Sequence, residues 1–195
     1  MGNETDEPAS TPDRIARSAL VVLARDGLDG LSVRAVGRAA GVAAGTVQHH
    51  FATREALLLA AFEQTVSAVA ARAADTSGQQ PGVEQLEMLL RQLLPLDEQR
   101  RVEGAAWVAL NAAASSHPGL VVVQHRAVAD LTAALTALVA EGQRLGQLDD
   151  SMTAAAAARM LSAVVDGLTM HGITDAVPER ELLATLDLAV GLLRG

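Results

Sequence analysis

Apolar residues recur along this chain at intervals of three and four, the spacing that gathers them on one face of a helix. Ile15, Ala19, Val22 and Leu23 form the first such stripe, and Gly27 ends it. Thr11-Pro12-Asp13 reads as its start: a capping hydroxyl, a proline in the first turn and an acid near the positive end of the dipole. Ser32 caps a second, short helix carrying Val33, Val36 and Ala40. Gly41 closes it, because reversing the chain here needs a left-handed backbone that glycine takes cheaply. Val42 turns inward, and residues 44–50 form a third helix of about two turns. A longer helix from Thr53 to Ala74 follows, with Leu57, Leu58, Ala61, Phe62, Val66 and Val69 as its stripe.

Ser77-Gly78-Gln79-Gln80-Pro81-Gly82 is a loop by composition. Five further helical stretches open at Val83, Asp97, Gly119, Ser151 (as a cap) and Pro178. They end at Pro95, before Pro118, near Leu145, at Ile173 and at Leu193. No stretch alternates as a strand would. The expected fold is all-α with about nine helices. A disordered tail over 1–10 precedes a three-helix unit over 11–52, with a helical ligand-binding and dimerisation domain over 53–195. Two helices joined by a tight glycine turn make a helix-turn-helix, whose second helix fits the DNA major groove.

The net charge of −8 argues against DNA until its distribution is followed. Residues 14–60 carry six Arg against Asp26, Asp29 and Glu55, whereas residues 75–195 carry fifteen acids against eight Arg. A basic head on an acidic body suits a modular binder, since affinity follows local phosphate neutralisation. There is no cysteine, so disulfides and thiolate metal sites are excluded. The acidic start is no signal peptide and no apolar run reaches a membrane span, so a cytoplasmic protein with no membrane partner is expected.

The run GVAAGTVQHHFATREALL resembles the signature of the TetR family of transcriptional regulators. Gly41, Val42, Gly45, Thr46, Val47, His50, Phe51 and Leu57 match it. Gln48 stands where the family usually has Tyr, and Arg54 where it usually has Lys. The resemblance covers residues 14–60; beyond them there is a weaker likeness to the BetI-type C-terminal domain. It implies a homodimeric repressor on a pseudo-palindromic double-stranded operator, released by a small apolar effector, with no cofactor. The competing reading is a helical protein-interaction module whose helix-turn-helix is only structural. An all-helical enzyme comes third and lacks a catalytic constellation.

Ser32, Arg34, Ala44, Gly45, Thr46, Gln48, His49, His50 and Arg54 form the candidate DNA surface. Ala44 and Gly45 allow close approach, and Thr46 suits a phosphate or a thymine methyl. Gln48 suits a bidentate contact to adenine, although its family position usually serves the backbone. His49 and His50 donate to phosphate, and the resemblance lets Arg34 reach a guanine edge. Arg38 and Arg54 either contact phosphate or remain solvated. Phe51 belongs to the core.

For the effector, Met88, Trp107, Asn111, Gln124, His125, Met160 and His171 are the candidate lining, against the plainer reading of Trp and Met as core. No metal site is expected: His49 and His50 point about 100° apart. His117 beside Ser115 and Ser116 is not a triad. The last two helices are apolar beyond one stripe, which asks for a partner's cover. The resemblance pairs them with their copies, and Leu161, Val165, Leu168, Leu182, Leu186, Val190 and Leu193 are the expected dimer contacts. Burial within one chain is the alternative.

Overall fold

Nine helices account for the described part of this computed structural model, which comprises residues 10–75, 81–114 and 117–194. They are α1 (Thr11–Gly30), α2 (Val33–Ala40), α3 (Ala44–His50), α4 (Arg54–Asp75), α5 (Val83–Leu93), α6 (Glu98–Ala114), α7 (Pro118–Arg144), α8 (Ala154–Ile173) and α9 (Glu179–Gly191). No strand occurs among the described residues. The expected tail over 1–9 and the loop over 76–80 lie outside them.

Local chemistry sets the helix boundaries. Ser10, expected in the tail, is the cap of α1: its Oγ accepts from the Asp13 N–H at 3.3 Å. Thr11 is therefore the first helical residue and not the cap. Gly27, at φ 66° and ψ −170°, interrupts α1 where the stripe ends. Ser32 Oγ accepts from the Ala35 N–H at 3.2 Å and starts α2. Gly41 ends α2 at φ 66°, ψ 33°, a left-handed conformation. At the far end the cap of α8 is Thr153, not Ser151; its Oγ1 accepts from the Ala156 N–H at 3.3 Å. Ser and Thr are both good caps, so residue type alone does not choose between them.

Two apolar cores follow. The first joins α1, α2, α3 and the N-terminal half of α4 to α6 and the start of α7. Ile15, Val36, Val47, Leu57, Phe62, Ala106 and Leu110 all lie in it. The core is thus continuous across residue 52, where the sequence suggested a domain boundary. Three short helices bury too little surface alone, and α4 with α6 supplies the rest. The second core gathers α5, the C-terminal part of α7, α8 and α9 around Leu86, Leu135, Leu161, Val165 and Leu186. Ion pairs from Arg91 to Asp187 and from Arg194 to Glu87 tie α5 to α9 and to the residues just after it, across the rim of this core.

The stripe of α4 divides between two jobs. Leu57, Leu58, Ala61 and Phe62 are buried in the first core, whereas Val66 and Val69, one and two turns on, face a cavity. No helix among the described residues is long and apolar enough to cross a membrane.

Candidate DNA-binding surface and effector cavity

Helix α3 is held by one buried residue. Val47 is fully buried, and successive side chains on a helix turn by about 100°, so Gly45 and His49 point away from the core. Thr46 and Gln48 flank that outward line; Gln48, His49 and His50 are exposed, and Ala44 and Thr46 are half-buried. The His49 and His50 rings meet edge to face at 5.1 Å. A Cβ on Gly45 would meet nothing within 4 Å, which leaves open space above the start of α3.

The turn that presents α3 depends on Gly37 as much as on Gly41. A Cβ on Gly37 would stand 3.0 Å from the Val42 carbonyl oxygen, beside the Ala44 backbone. The Val42 N–H in turn donates to the Gly37 carbonyl at 2.9 Å. Sequence reasoning passed over Gly37, yet a glycine inside a short helix, a few residues before the turn, was the available signal.

Around α3 the cations differ in freedom. Arg14, Arg17, Arg34 and Arg38 are exposed and form no ion pair among the described residues, so they remain available to phosphate. Arg25 is committed to Asp26 at 2.6 Å, which holds that carboxyl below its usual range. Arg54 is partly committed as well. Its guanidinium donates to the Leu28 carbonyl and lies 4.0 Å from Asp29, pinning the start of α4 to the end of α1. Ser32 is exposed, but its hydroxyl is occupied as the α2 cap.

In the body, α4, α5, α6, α7 and α8 enclose a cavity of about 350 Å³. Its wall is mostly apolar: Val66, Val69, Leu89, Leu93, Leu131 and Val165, with Trp107 among them. The Trp107 ring stacks on Phe62 with centroids 5.6 Å apart, and its indole N–H donates to Asp166 Oδ1 at 2.9 Å. The polar wall comprises Thr65, Gln92, Arg100, Glu103, Asp130, Asp166 and Thr169.

Of the seven expected lining residues, Trp107 alone reaches this wall. Asn111, one turn on, donates to the Trp107 carbonyl at 2.8 Å and accepts from Gln124, so both amides are used in joining α6 to α7. His125 and His171 are exposed, and Met160 packs against the second core. Met88 is half-buried away from the cavity. Helical spacing locates a face but not which face five helices leave unfilled. Glu103 was the missed signal: it shares the buried phase of Ala106 and Leu110 on α6, where an acid requires a partner.

The seven expected dimer residues are corrected too. Leu161, Val165, Leu168, Leu182, Leu186, Val190 and Leu193 are all buried in the second core of a single chain. The same helices do carry apolar side chains outward: Met170 on α8 is 53% exposed, Leu188 on α9 65%, and Leu192 just after it 71%. No group of three or more His, Cys, Asp or Glu able to hold a metal occurs among the described residues.

Residues 15–61 match the family described as bacterial regulatory proteins, tetR family. Residues 82–193 match the BetI-type transcriptional repressor C-terminal family. The HTH-type transcriptional regulator PksA of Bacillus subtilis (strain 168) is 28% identical over 166 residues, spanning 84% of this chain and 79% of PksA. A transcriptional regulator from Rhodococcus sp. Rha1 has a solved structure that superposes with a TM-score of 0.83 at 31% identity, covering 94% of this chain and 96% of that one. A protein from Saccharomonospora viridis, solved in complex with choline, superposes at 0.85 with 22% identity, over 92% and 95% of the two chains, a likeness of fold. The chain belongs to the TetR family of bacterial transcriptional regulators, with a DNA-binding helix-turn-helix head and a BetI-type C-terminal body.

Proposed function

We propose that this regulator is a homodimeric repressor that grips a pseudo-palindromic operator and is released by a small apolar effector. Helix α4 carries the proposal. It is one helix of 22 residues, about 33 Å long, that begins beside the head at Arg54 and lines the cavity with Thr65, Val66, Val69 and Ala70. A molecule entering the cavity pushes on the element that positions α3. Its effect on DNA affinity equals its difference in affinity for the two head positions.

The second copy is supported by the outward Met170, Leu188 and Leu192, whose exposure in one chain leaves α8 and the α9 end needing cover. Two heads then present two α3 helices to half-sites one helical turn apart. The operator lies in the cytoplasm, where the protein acts. Thr46, Gln48, His49 and His50 on α3 contact DNA, with Arg34 beside them, and Arg54 serves chiefly as a clamp.

The test uses the unique Trp107 as a reporter. Compounds that shift its emission should weaken operator binding over the same concentration range. Effectors that fill the cavity and leave operator affinity unchanged would remove the sensor from this account.

A further inference from the structure

Asp166 stands between two hollows. It borders the cavity, where its Oδ1 accepts from the Trp107 indole at 2.9 Å, and it borders an open groove between α7 and α8. Arg159 borders the same groove. Both side chains are exposed, and neither forms an ion pair among the described residues. Asp130, on the cavity wall, differs in having Arg126 at 3.9 Å. Seven residues of helix make nearly two full turns, so Arg159 and Asp166 point the same way, about 10 Å apart along the axis.

Between these two charges α8 offers the groove only Ser162 and Ala163. Small side chains let two helices approach closely, with axes about 8 Å apart. One turn before Arg159 lies Ala155, half-buried; one turn after Asp166 lies Met170, 53% exposed. The face is thus complementary to itself about its midpoint, with a small residue and a cation on one side, an anion and a large residue on the other. A twofold axis through that midpoint runs a second α8 antiparallel to the first, so each contact is made twice. Arg159 comes opposite the partner's Asp166, and Ala155 opposite the partner's Met170. A parallel, in-register pair would instead set like charges together.

We propose that a second copy of this chain lays its α8 antiparallel across this one, crossing between Ser162 and Ala163, with Arg159 of each subunit paired to the partner's Asp166. This rests on the homodimer reading above and gives it a register. It also makes each cavity depend on the other chain. The partner's Arg159 holds the carboxylate that receives the Trp107 indole, and so acts as a positioning residue for Trp107 from across the interface. Its aliphatic stem lies over Val128, Ala129 and Ala133 of the groove while the guanidinium reaches Asp166.

Two charge reversals in the full chain test the register by sedimentation equilibrium. Arg159→Glu alone sets two acids opposite each other at both contacts, and Asp166→Lys alone sets two cations. Each should raise the dimer dissociation constant about tenfold or more. Mixed in equal amounts, the two variants form a heterodimer with opposite charges at both contacts, and association should return close to the wild-type value. A pair within one chain gives no such rescue, since each variant chain carries two like charges. Both positions are exposed, so circular dichroism should report unchanged helicity. Trp107 is read in the Arg159→Glu chain against an Asp166→Lys partner that also carries Trp107→Phe, and its emission should shift as the heterodimer forms. Single variants that dimerise like wild type, a mixture no tighter than its components, or Trp107 emission unmoved by pairing would each overturn the proposal. A wild-type dimer with any of those results leaves the homodimer reading standing. A wild-type chain that is monomeric at micromolar concentration defeats both.

Discussion

Arg72 on α4 and Glu103 on α6 form a two-pronged ion pair, Nη1 to Oε1 at 3.0 Å and Nη2 to Oε2 at 2.5 Å. Glu103 is buried and also accepts from the Gln99 amide at 3.0 Å. The Arg72 Nε is itself buried, with no hydrogen-bond partner among the described residues. The pair fastens the far end of the helix that starts beside the DNA head to the wall of the cavity. It is a joint between the helix that supports the head and the cavity wall, and a costly one, since desolvating two charges offsets much of their attraction.

Breaking one side of that joint should therefore hurt more than removing both. Glu103→Gln leaves the Arg72 charge uncompensated and should cost about 2–4 kcal/mol in urea unfolding. The double variant Arg72→Met, Glu103→Leu should recover most of that loss. Additive losses in the double variant would show that the two side chains do not act as a pair.

Along α3, one turn of helix separates fold from function. Val47→Ala should destabilise the head by about 1–3 kcal/mol, because Val47 is fully buried. Thr46→Ala and Gln48→Ala should leave the thermal midpoint nearly unchanged and weaken operator binding. If Gln48 reads a base, its loss costs about 1–3 kcal/mol on the operator and little on other sequences. If it holds phosphate, the loss is nearly equal on all duplexes.

How far these positions could be read in advance depended on how local their causes were. The helix-turn-helix is written within about twenty residues: the Ser32 cap, the Gly41 reversal and the phase of Val47 each act on neighbours. The cavity is a shared absence among five helices, so spacing on any one of them cannot reveal it. Trp107 was found because it is large and central; Asp166 was hidden in the apolar run of α8. On α8 and α9 the excess of apolar residues was legible, but its inward and outward halves were not. Leu186 and Val165 face the core, while Leu188, two residues along from Leu186, faces outward.

That assignment has a direct test in assembly. Leu192→Arg and Met170→Arg change exposed positions, so each chain should keep its helicity while sedimentation shows a shift from dimer to monomer. Leu186→Arg buries a charge in the second core and should unfold the body, a loss of several kcal/mol. A wild-type chain that is monomeric at micromolar concentration would remove the dimer from the account.

The claim on which the rest depends is that a dimer holds duplex DNA through α3, and one titration reaches it. Fluorescence anisotropy should be measured on a labelled inverted repeat from the DNA flanking the coding region, at several salt concentrations, for wild type and for Gln48→Ala. The account expects two chains per duplex, affinity that falls steeply and linearly on a log–log plot against salt, and a clear preference over a scrambled duplex. It also expects weaker binding by Gln48→Ala. Binding that ignores salt, fails to distinguish the scrambled duplex, or is unchanged in Gln48→Ala together with Thr46→Ala would contradict it.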